Sequence, residues 1–457
     1  MVAGCMTRFA SCDRSQPFLL PPDLRDWLPQ DDLAHFVVEA VERIDIAAFK
    51  VNHKGSGSEQ YHPRMMLALV IYCYANGIFS SRRIERATYR DIGVRFVTAN
   101  RHPDHDTICA FRRANAAAIE ACFLHVLELA RELKLLKVGI VSVDGTKIDA
   151  NANKHKSVRY DRAVELREQL RLEIADLMRQ AETADASGEV DHQALPEEIA
   201  RREALRAKLD AAARRLEAEA AARAEREQAD YERRRAVYEK RNGAGRPPSP
   251  PSATPKPDAQ CNLTDPDSRI MRKSKRSEYR QSYNAQAAVD AEGSQLVLGA
   301  GVTQCASDAN ELVATVDAIP AVLGAPSTVL GDTGYATGEQ VAELERRDME
   351  VLVAIRGTAR RRPHDLRPKQ PDKPQSEPKL EWLKKMQKKL ETDAGRSKYK
   401  LRKQTVEPVF GIIKQGLGFR QFLLRGLAGV RLEWSLVTLA YNMKRLHRLK
   451  ANAASAM

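Results

Sequence analysis

The stretch VGIVSVDGT, residues 138–146, marks a change in the chain from helical to extended character. Before it, apolar residues recur at the three- and four-residue steps of helices, whereas VGIVSV is a short run of β-branched and apolar residues. Such a run after a helix is typical of a buried strand. It leads directly into Asp144, so we expect this acid to stand at the end of the strand.

Further strands are predicted only after residue 260. The segments are a β-hairpin in YNAQAAVDAEGSQLVLGAGV (283–302), a helix in SDANELVATVDAI (307–319), a strand in STVLGD (327–332), a helix over 337–347 and a strand in MEVLVAI (349–355). Asp308 and Glu311 fit a D-x-x-E capping box for the first helix. This order predicts an α/β fold with an RNase H-like mixed sheet.

The first 135 residues predict an all-α N-terminal domain. Helices are expected over DDLAHFVVEAVERI (31–44), from Pro63 to Asn76-Gly77, and after a cap at Ser80 or Ser81. The third helix carries a row of guanidinium groups: Arg82, Arg83, Arg86 and Arg90. Two interpretations are open: a DNA-groove-binding face of a helix-turn-helix, or an exposed face whose arginines pair with Glu85 or Asp91.

A long insertion separates the first strand from the others. Apolar residues recur at helical spacing over 160–181 and 197–240, which predicts a helical hairpin or coiled coil. The segment GAGRPPSPPSATPKPD (243–258) predicts a flexible, proline-rich linker. The expected domains are a helical DNA-binding domain (1–135), the first part of the catalytic domain (136–156), the insertion (157–260), and the remaining catalytic domain with C-terminal helices (261–457).

The charge balance points to a polyanionic partner. The 457 residues carry 74 Lys and Arg against 61 Asp and Glu, a formal net charge of +13, which favours nucleic acid over an acidic small molecule. No stretch approaches the roughly 18 apolar residues of a membrane span, so we expect no membrane partner and a cytoplasmic, nucleoid-associated protein. Seven cysteines without a C-x-x-C pair predict neither a zinc ribbon nor a disulfide framework.

Two acids follow apolar strands in VSVDGT and VLGDTGY, namely Asp144 and Asp332. Ligands bind at strand ends in open α/β sheets, so the two carboxylates are expected to converge on one cation. Oxygen ligands suit Mg²⁺, and two such ions can stabilise the entering and leaving oxygens of a phosphoryl displacement. Replacing any acid of such a site is expected to abolish cleavage.

A third acid, Glu407, lies in TVEPVFGIIKQ (405–415). Because Pro408 is unfavourable inside a helix, a helix is predicted to begin near Thr405, with Glu407 in its first turn. Lys414 then falls on the same face two turns later, where it is expected to hold a DNA phosphate. The basic segment 360–403 predicts either a solvated loop or a phosphate contact, and we favour the contact.

Five segments together resemble bacterial insertion-sequence transposases of the DDE class. They are YHPRMMLALVIYCYANGIFSSRRIE (61–85), HPDHDTICAFRR (102–113), VDGTKIDANAN (143–153), VLGDTGY (329–335) and TVEPVFGIIKQ (405–415). The resemblance implies an RNase H-like catalytic domain and Mg²⁺ as cofactor, with Mn²⁺ as a substitute. It also implies double-stranded DNA partners, terminal inverted repeats and target, and a homodimer or higher oligomer on DNA.

Relatives often share a Tyr-x2-Arg-x3-Glu-x6-Lys signature. Glu407 and Lys414 keep its last spacing, but Tyr399 and Arg402 lie one residue too far upstream. Lys403 therefore occupies the basic position. Arg402, Lys403 and Lys414 are the candidate DNA contacts near the acids.

The predicted function is transposition by a two-metal-ion mechanism with Asp144, Asp332 and Glu407 as catalytic metal ligands. Each element end would be hydrolysed to a 3′-hydroxyl, which then attacks target DNA. Two alternatives stay open: an RNase H-like nuclease without strand transfer, and an inactive, domesticated DNA-binding protein. Strand-transfer products from a pre-cleaved end would separate the first alternative from a transposase.

Overall fold

The computed structural model describes residues 23–51, 60–187, 194–240, 245–273, 277–355 and 380–455. These residues form two compact units, one within 1–118 and 451–457 and the other within 119–450. None of the described helices combines the length and the apolar character needed to cross a membrane.

The first unit is helical. Its helices are α1 (Leu33–Glu42), α2 (Pro63–Ala75), α3 (Ser81–Arg90), α4 (Ile92–Val97) and α5 (His105–Ala114). The predicted starts are confirmed, because the side chain of Asp32 accepts from the Ala34 N–H and Pro63 is the first residue of α2. Helix α2 is buried from Met66 to Ala75 and packs against α1 and α4, so it forms the centre of this unit.

The second unit contains a mixed sheet, a helical hairpin and the helices that cover the sheet. Its first elements are α6 (Ala116–Glu132), β1 (Ile140–Asp149), β2 (Ser157–Arg159), α7 (Tyr160–Ser187), α8 (Ala194–Lys240), β3 (Gln260–Asn262), β4 (Arg269–Met271), β5 (Arg280–Asp290) and β6 (Val297–Thr303). They are followed by α9 (Leu312–Asp317), β7 (Thr328–Gly331), α10 (Gly338–Arg346), β8 (Glu350–Val353), α11 (Glu381–Glu391), α12 (Asp393–Gly411) and α13 (Leu427–Ser455).

Six strands form the main sheet. Strand β5 pairs antiparallel with β1 on one side and with β4 and β6 on the other, while β1, β7 and β8 run parallel in that order. Helix α12 packs across β1, β5 and β7. The predicted α/β class and RNase H-like mixed sheet are confirmed, including the hairpin, whose turn has Gly293 at φ +122°.

Strand β1 is longer than predicted. The expected end at Asp144 is wrong, because β1 continues to Asp149. The reason is its long partner: β5 pairs with β1 from Val141 to Asp149. On the other side, β7 pairs only with Ile140–Ser142. Asp144 therefore lies within β1 but just beyond the part that β7 covers, so this side of the strand is open there.

The insertion forms the predicted helical hairpin. Side-chain contacts between α7 and α8 show that the helices are antiparallel: Tyr160 with Glu217 at 2.8 Å, Arg167 with Asp210 at 3.5 Å, and Glu173 with Arg202 at 3.0 Å. Apolar residues of both helices form the buried seam, including Ala163, Leu170, Leu209, Ala212 and Leu216. The coiled-coil spacing in the sequence thus corresponds to a real interface.

The described residues of the proline-rich segment, 245–258, are packed against the hairpin and do not form the predicted free linker. Its residues Pro248–Pro251 line one cavity together with Tyr231 and Arg234 of α8. A proline-rich stretch lacks most backbone donors and stays extended, which suits it to lie along a helix. The segment therefore packs on the base of the hairpin.

Helix α12 overturns the predicted helix start near Thr405. It begins at Asp393, and Pro408 lies inside it, so Glu407 is near its C-terminal end. Proline leaves the carbonyl four residues earlier without its usual N–H donor. Here that carbonyl belongs to Gln404, and it accepts from Nε2 of Gln295 at 2.7 Å. A side chain from the β5–β6 turn thus replaces the missing hydrogen bond.

The basic segment before Glu407 is also more ordered than expected. Residues 381–391 and 393–403 are helical, so the loop interpretation is wrong for them. Met386 of α11 is buried, and its sulfur accepts from the Val353 N–H at 3.5 Å, which anchors α11 on β8. The part of the segment within 356–379 lies outside the described residues.

Candidate active site

Asp332 lies at the carboxyl end of β7, as predicted. Its Oδ1 atom accepts from the Gly334 N–H at 2.7 Å and caps a short turn over Thr333–Tyr335. Asp144, on the neighbouring strand, accepts from the Gly145 N–H at 2.9 Å. Parallel strands bring their carboxyl ends to one edge of the sheet, so both acids face the same region.

Arg402 of α12 joins the three predicted acids. Its Nη2 atom lies 3.2 Å from Oδ2 of Asp144 and 4.0 Å from Oδ2 of Asp332. Its Nη1 atom lies 3.6 Å from Oε1 of Glu407. The structure therefore brings all three acids around one guanidinium group, while their catalytic roles stay a prediction.

The environment of Asp144 disfavours its charged form. Burial raises the pKa of Asp144 to about 6, and the neighbouring charges of Asp332 and Asp308 act in the same direction. The Arg402 guanidinium and the Gly145 N–H oppose this shift. Carboxyl groups whose pKa is raised by burial and by neighbouring acids are typical of functional sites.

Asp308 is a fourth acid of this region, and the predicted capping role for it is wrong. Glu311, not Asp308, is the N-cap of α9. The Asp308 side chain instead turns toward the sheet, where its Oδ1 accepts from Nδ2 of Asn284 at 2.7 Å and from Nε2 of Gln286 at 2.8 Å. Buried amides need acceptors, and the Asp308 carboxylate serves as one for both of these side chains of β5.

A sequence signal for this network exists in β5. Asn284 and Gln286 are two residues apart in the buried part of strand β5, so they point to the same face of the sheet. Buried amides there require polar partners. The buried Tyr335, just after Asp332, donates its hydroxyl to Oε1 of Gln286 and so fixes which way that amide points.

Gly145 is required by close packing. A Cβ atom at this position would lie 2.4 Å from Nε2 of Gln286 and 2.5 Å from Oδ1 of Asp308. Both distances are far shorter than any non-bonded contact to carbon. The glycine after Asp144 therefore lets the amide and carboxylate approach the β1 backbone.

Arg402 and Lys403 differ in what they contact, while their role as DNA contacts stays a prediction. Lys403 is exposed and forms no ion pair with the described acids, whereas Arg402 contacts three of them. Tyr399 lies one helical turn before Arg402 and donates its hydroxyl to the Gly331 carbonyl at 3.1 Å. Both residues lie on the continuous α12, which also carries Glu407.

Lys414 lies further along β1 than the acids. It belongs to a π-helical turn, Ile412–Gly416, and its Nζ donates to Oγ1 of Thr146 and to the Lys147 carbonyl at 3.3 Å. Burial lowers the pKa of Lys414 to about 8, and the nearby Lys273 adds to this effect. The amine therefore flanks the acids beside β1, and a phosphate contact there stays a prediction.

The arginine row on α3 is solvent-exposed. Arg82, Arg83, Arg86 and Arg90 are all exposed, and none of them forms an ion pair within the described part of the chain. Glu85 pairs instead with His105 at 2.8 Å, and Asp91 accepts from the Val94 N–H at 2.9 Å as the cap of α4. The alternative in which Glu85 or Asp91 neutralises these arginines is therefore wrong.

The donor set suits a hard divalent cation. Asp144, Asp332 and Glu407 supply carboxylate oxygens, which Mg²⁺ and Mn²⁺ prefer. In their present positions, no three Asp, Glu, His or Cys side chains of the described residues stand close enough together to hold a metal ion. The cationic Arg402 lies between them, so one positive group already occupies the place where these oxygens face each other.

Two family models match separate parts of the chain. The family described as "Transposase domain (DUF772)" matches residues 22–114, and the family described as "Transposase DDE domain" matches residues 254–443. Together they cover more than half of the 457 residues. The second match includes Asp308, Asp332, Arg402 and Glu407. No curated protein and no solved structure matches the chain significantly.

Proposed function

Since the chain belongs to the DDE transposase family of insertion sequences, whose activity is DNA transposition, we propose that it cleaves element ends and joins them to target DNA. The observation that carries this proposal is the gathering of Asp144, Asp332 and Glu407 around Arg402. Three acids from two strands and a helix, far apart in sequence, meet at one edge of the sheet.

Asp144, Asp332 and Glu407 would hold Mg²⁺, for which Mn²⁺ can substitute. When bound, two such ions stabilise the entering and leaving oxygens of an in-line phosphoryl displacement. The carboxylates fix where the scissile phosphate lies. The same acids serve both hydrolysis, which frees a 3′-hydroxyl, and its attack on target DNA.

Arg402 compensates the acids when no other cation is present. Its two Nη atoms satisfy Asp144 and Glu407, which limits repulsion among carboxylates that are partly withdrawn from water. A guanidinium has five donors in a planar fork, so the same group can turn to bind DNA phosphate once the acids have other partners. Lys403, which is exposed, and Lys414 supply further positive charge beside it.

The arginine row of α3 is proposed to bind the element ends. Exposed arginines without acidic partners are free to contact phosphates, and Tyr89, stacked on His102 at 4.0 Å between ring centroids, lies on the same helix. The proposed DNA partners are terminal inverted repeats and target duplex. A homodimer or higher oligomer would hold two ends together, in the cytoplasm on the nucleoid.

A joining assay tests the proposal. The full chain is incubated with Mg²⁺, a supercoiled target and a duplex that carries a candidate inverted repeat with a pre-cleaved 3′-hydroxyl end. We expect covalent end-to-target products. Cleavage of uncut ends without any joined product would instead identify a nuclease, and binding without either product would identify an inactive DNA-binding protein.

A further inference from the structure

Asp308 has no role in the proposed three-acid mechanism, yet its side chain is built into the same region. Its Oδ1 atom accepts from Asn284 and Gln286, and Gln286 is in turn oriented by the hydroxyl of the buried Tyr335. This arrangement uses three buried polar side chains to aim one carboxylate. Such positioning is typical of groups that act on a ligand.

The second oxygen of Asp308 is available. Both amides donate to Oδ1, and no other donor among the described residues contacts Oδ2. It faces the Asp332 turn: a Cβ atom placed on Gly334 would lie 2.8 Å from Oδ1 of Asp332 and 3.6 Å from Oδ2 of Asp308. These two carboxylate oxygens therefore border the same point of the backbone.

Asp308 also lies close to the backbone next to Asp144. A Cβ atom on Gly145 would lie 2.5 Å from Oδ1 of Asp308, and the charge of Asp308 is one of the causes that raise the pKa of Asp144. Asp308 thus lies between the β1 and β7 acids. Four carboxylates, those of Asp144, Asp308, Asp332 and Glu407, share this region, and Arg402 is the cation that contacts three of them.

A second observation points to a ligand here. Asn284 is fully buried, yet its Oδ1 atom has no hydrogen-bond partner among the residues that the structure describes. This oxygen would lie 3.1 Å from a Cβ on Gly145, beside Oδ1 of Asp308. A buried oxygen without a partner costs about 1 to 3 kcal/mol. A hydrated cation next to Asp308 would bring water donors to it.

We propose that Asp308 is a fourth acidic residue of the cation site, whose free Oδ2 atom contributes to holding the divalent ion between Asp144 and Asp332. This inference rests on the proposed function, because it assigns the cation to that same site. Helix capping does not account for the position of the Asp308 side chain. At the start of α9 the main-chain carbonyl of Asp308 accepts from the N–H of the N-cap residue Glu311 at 3.1 Å.

The test compares Mn²⁺ binding to the full chain without DNA, by calorimetry, for the wild type, Asp308→Asn and a control, Glu311→Gln. Asparagine keeps the Oδ1 acceptor that Asn284 and Gln286 require. Glu311 is a nearby acid whose Oε1 atom accepts from the Thr303 hydroxyl at 2.9 Å. We expect about tenfold weaker Mn²⁺ binding for Asp308→Asn and none of this loss for the control.

Thermal unfolding in chelator separates this role from a structural one. Asp308→Asn removes a like charge beside Asp144, so its metal-free Tm should equal or exceed that of the wild type. If the variant is less stable, Asp308→Ser, with a smaller acceptor, serves as the second test and should show the same weakening of Mn²⁺ binding.

Unchanged Mn²⁺ affinity in the Asp308 variants would overturn the inference. The proposed function is judged separately by Asp144→Asn in the same titration. If Asp144→Asn loses Mn²⁺ binding while Asp308→Asn keeps it, the three-acid site is supported and the role of Asp308 as a fourth ligand is contradicted. If the wild type itself binds no Mn²⁺, both proposals are contradicted.

Discussion

The Nη2 atom of Arg402 lies 3.2 Å from Oδ2 of Asp144, and the two side chains are only 10% and 16% exposed. The same guanidinium reaches Asp332 and Glu407, so Arg402 contacts all three acids of the site. This arrangement makes the metal-free protein dependent on Arg402. A bound divalent ion would make that compensation unnecessary.

Arg402→Met should therefore destabilise the metal-free protein. Removing one partner of a buried ion pair leaves an uncompensated charge and costs about 3 kcal/mol. Denaturant unfolding in chelator measures the loss, and added Mn²⁺ should restore more stability to the variant than to the wild type. The matched control is Arg346→Met, which breaks an exposed pair with Glu343 and should cost about 0.5 kcal/mol or less. Equal losses in the two variants would contradict this role.

Gly145→Ala should disrupt the acidic site. The added methyl would lie 2.4 Å from Gln286 Nε2, so the amide and Asp308 must move. We expect Mg²⁺-dependent end cleavage to fall by about 100-fold or more, since small misplacements at a reacting centre have effects of that order. Gly301→Ala on β6 is the control, because a Cβ there meets nothing within 4 Å. Full cleavage by Gly145→Ala would show that this packing does not matter.

Gln295→Ala should weaken α12 at Pro408. The Gln404 carbonyl would lose its side-chain donor, at a cost of about 1 kcal/mol in the free energy of unfolding. In a Pro408→Ala background the helix regains an N–H for this carbonyl, so the same substitution should cost less. Urea unfolding of the four proteins in this double-mutant cycle measures the difference. An identical cost in both backgrounds would refute the compensation.

DNA binding should depend on pH through Lys414. Its pKa is lowered from 10.5 to about 8, so its positive charge is lost as pH rises through about 8 rather than near 10.5. Burial and the cations of Lys273 and Lys147 favour the neutral amine, whereas the carboxylates of Asp149 and Asp144 oppose this. If Lys414 holds a phosphate, affinity for end DNA should fall between pH 7 and 9.

Lys414→Arg is the control for this effect, because arginine stays charged over that range. Fluorescence anisotropy with labelled end DNA at constant ionic strength should give a flatter pH profile for Lys414→Arg than for the wild type. Parallel profiles for the two proteins would exclude a titrating phosphate contact at this position.

The arginine row of α3 should contribute salt-dependent affinity. Arg86→Ala removes one exposed guanidinium that forms no ion pair with the described residues, so the slope of log affinity against log salt should decrease by about one. Arg43→Ala, just after α1, removes an arginine that lies near Glu39 and serves as the control. An unchanged slope for Arg86→Ala would place the DNA contact elsewhere.

Local patterns were sufficient to predict many elements. The Asp32 cap, Pro63 at the start of α2, the strand before Asp332 and the seam of the helical hairpin all follow from short-range rules, and the structure contains them. These features depend on residues within one or two turns of each other. The resemblance to transposases also placed the three acids in one catalytic domain.

Features set by distant partners could not be predicted. Strand β1 extends past Asp144 because β5, more than 130 residues later, pairs with it. Helix α12 tolerates Pro408 because Gln295 supplies a donor from another element. Asp308 looked like a helix cap because its neighbours in sequence allow one, whereas Asn284 and Gln286 draw it into the site. Arg402 was a candidate DNA contact, but its ion pairs with the acids depend on the continuous α12, which a helix start near Thr405 did not allow for.

The three-acid site is tested most directly by measuring end cleavage and end binding together for Asp144→Asn. The assay uses Mg²⁺ and duplex DNA with a candidate inverted repeat that the wild type cleaves. We expect the variant to bind the ends with wild-type affinity but to give no detectable cleavage. Cleavage by Asp144→Asn at the wild-type rate would contradict the three-acid site and, with it, the proposed mechanism.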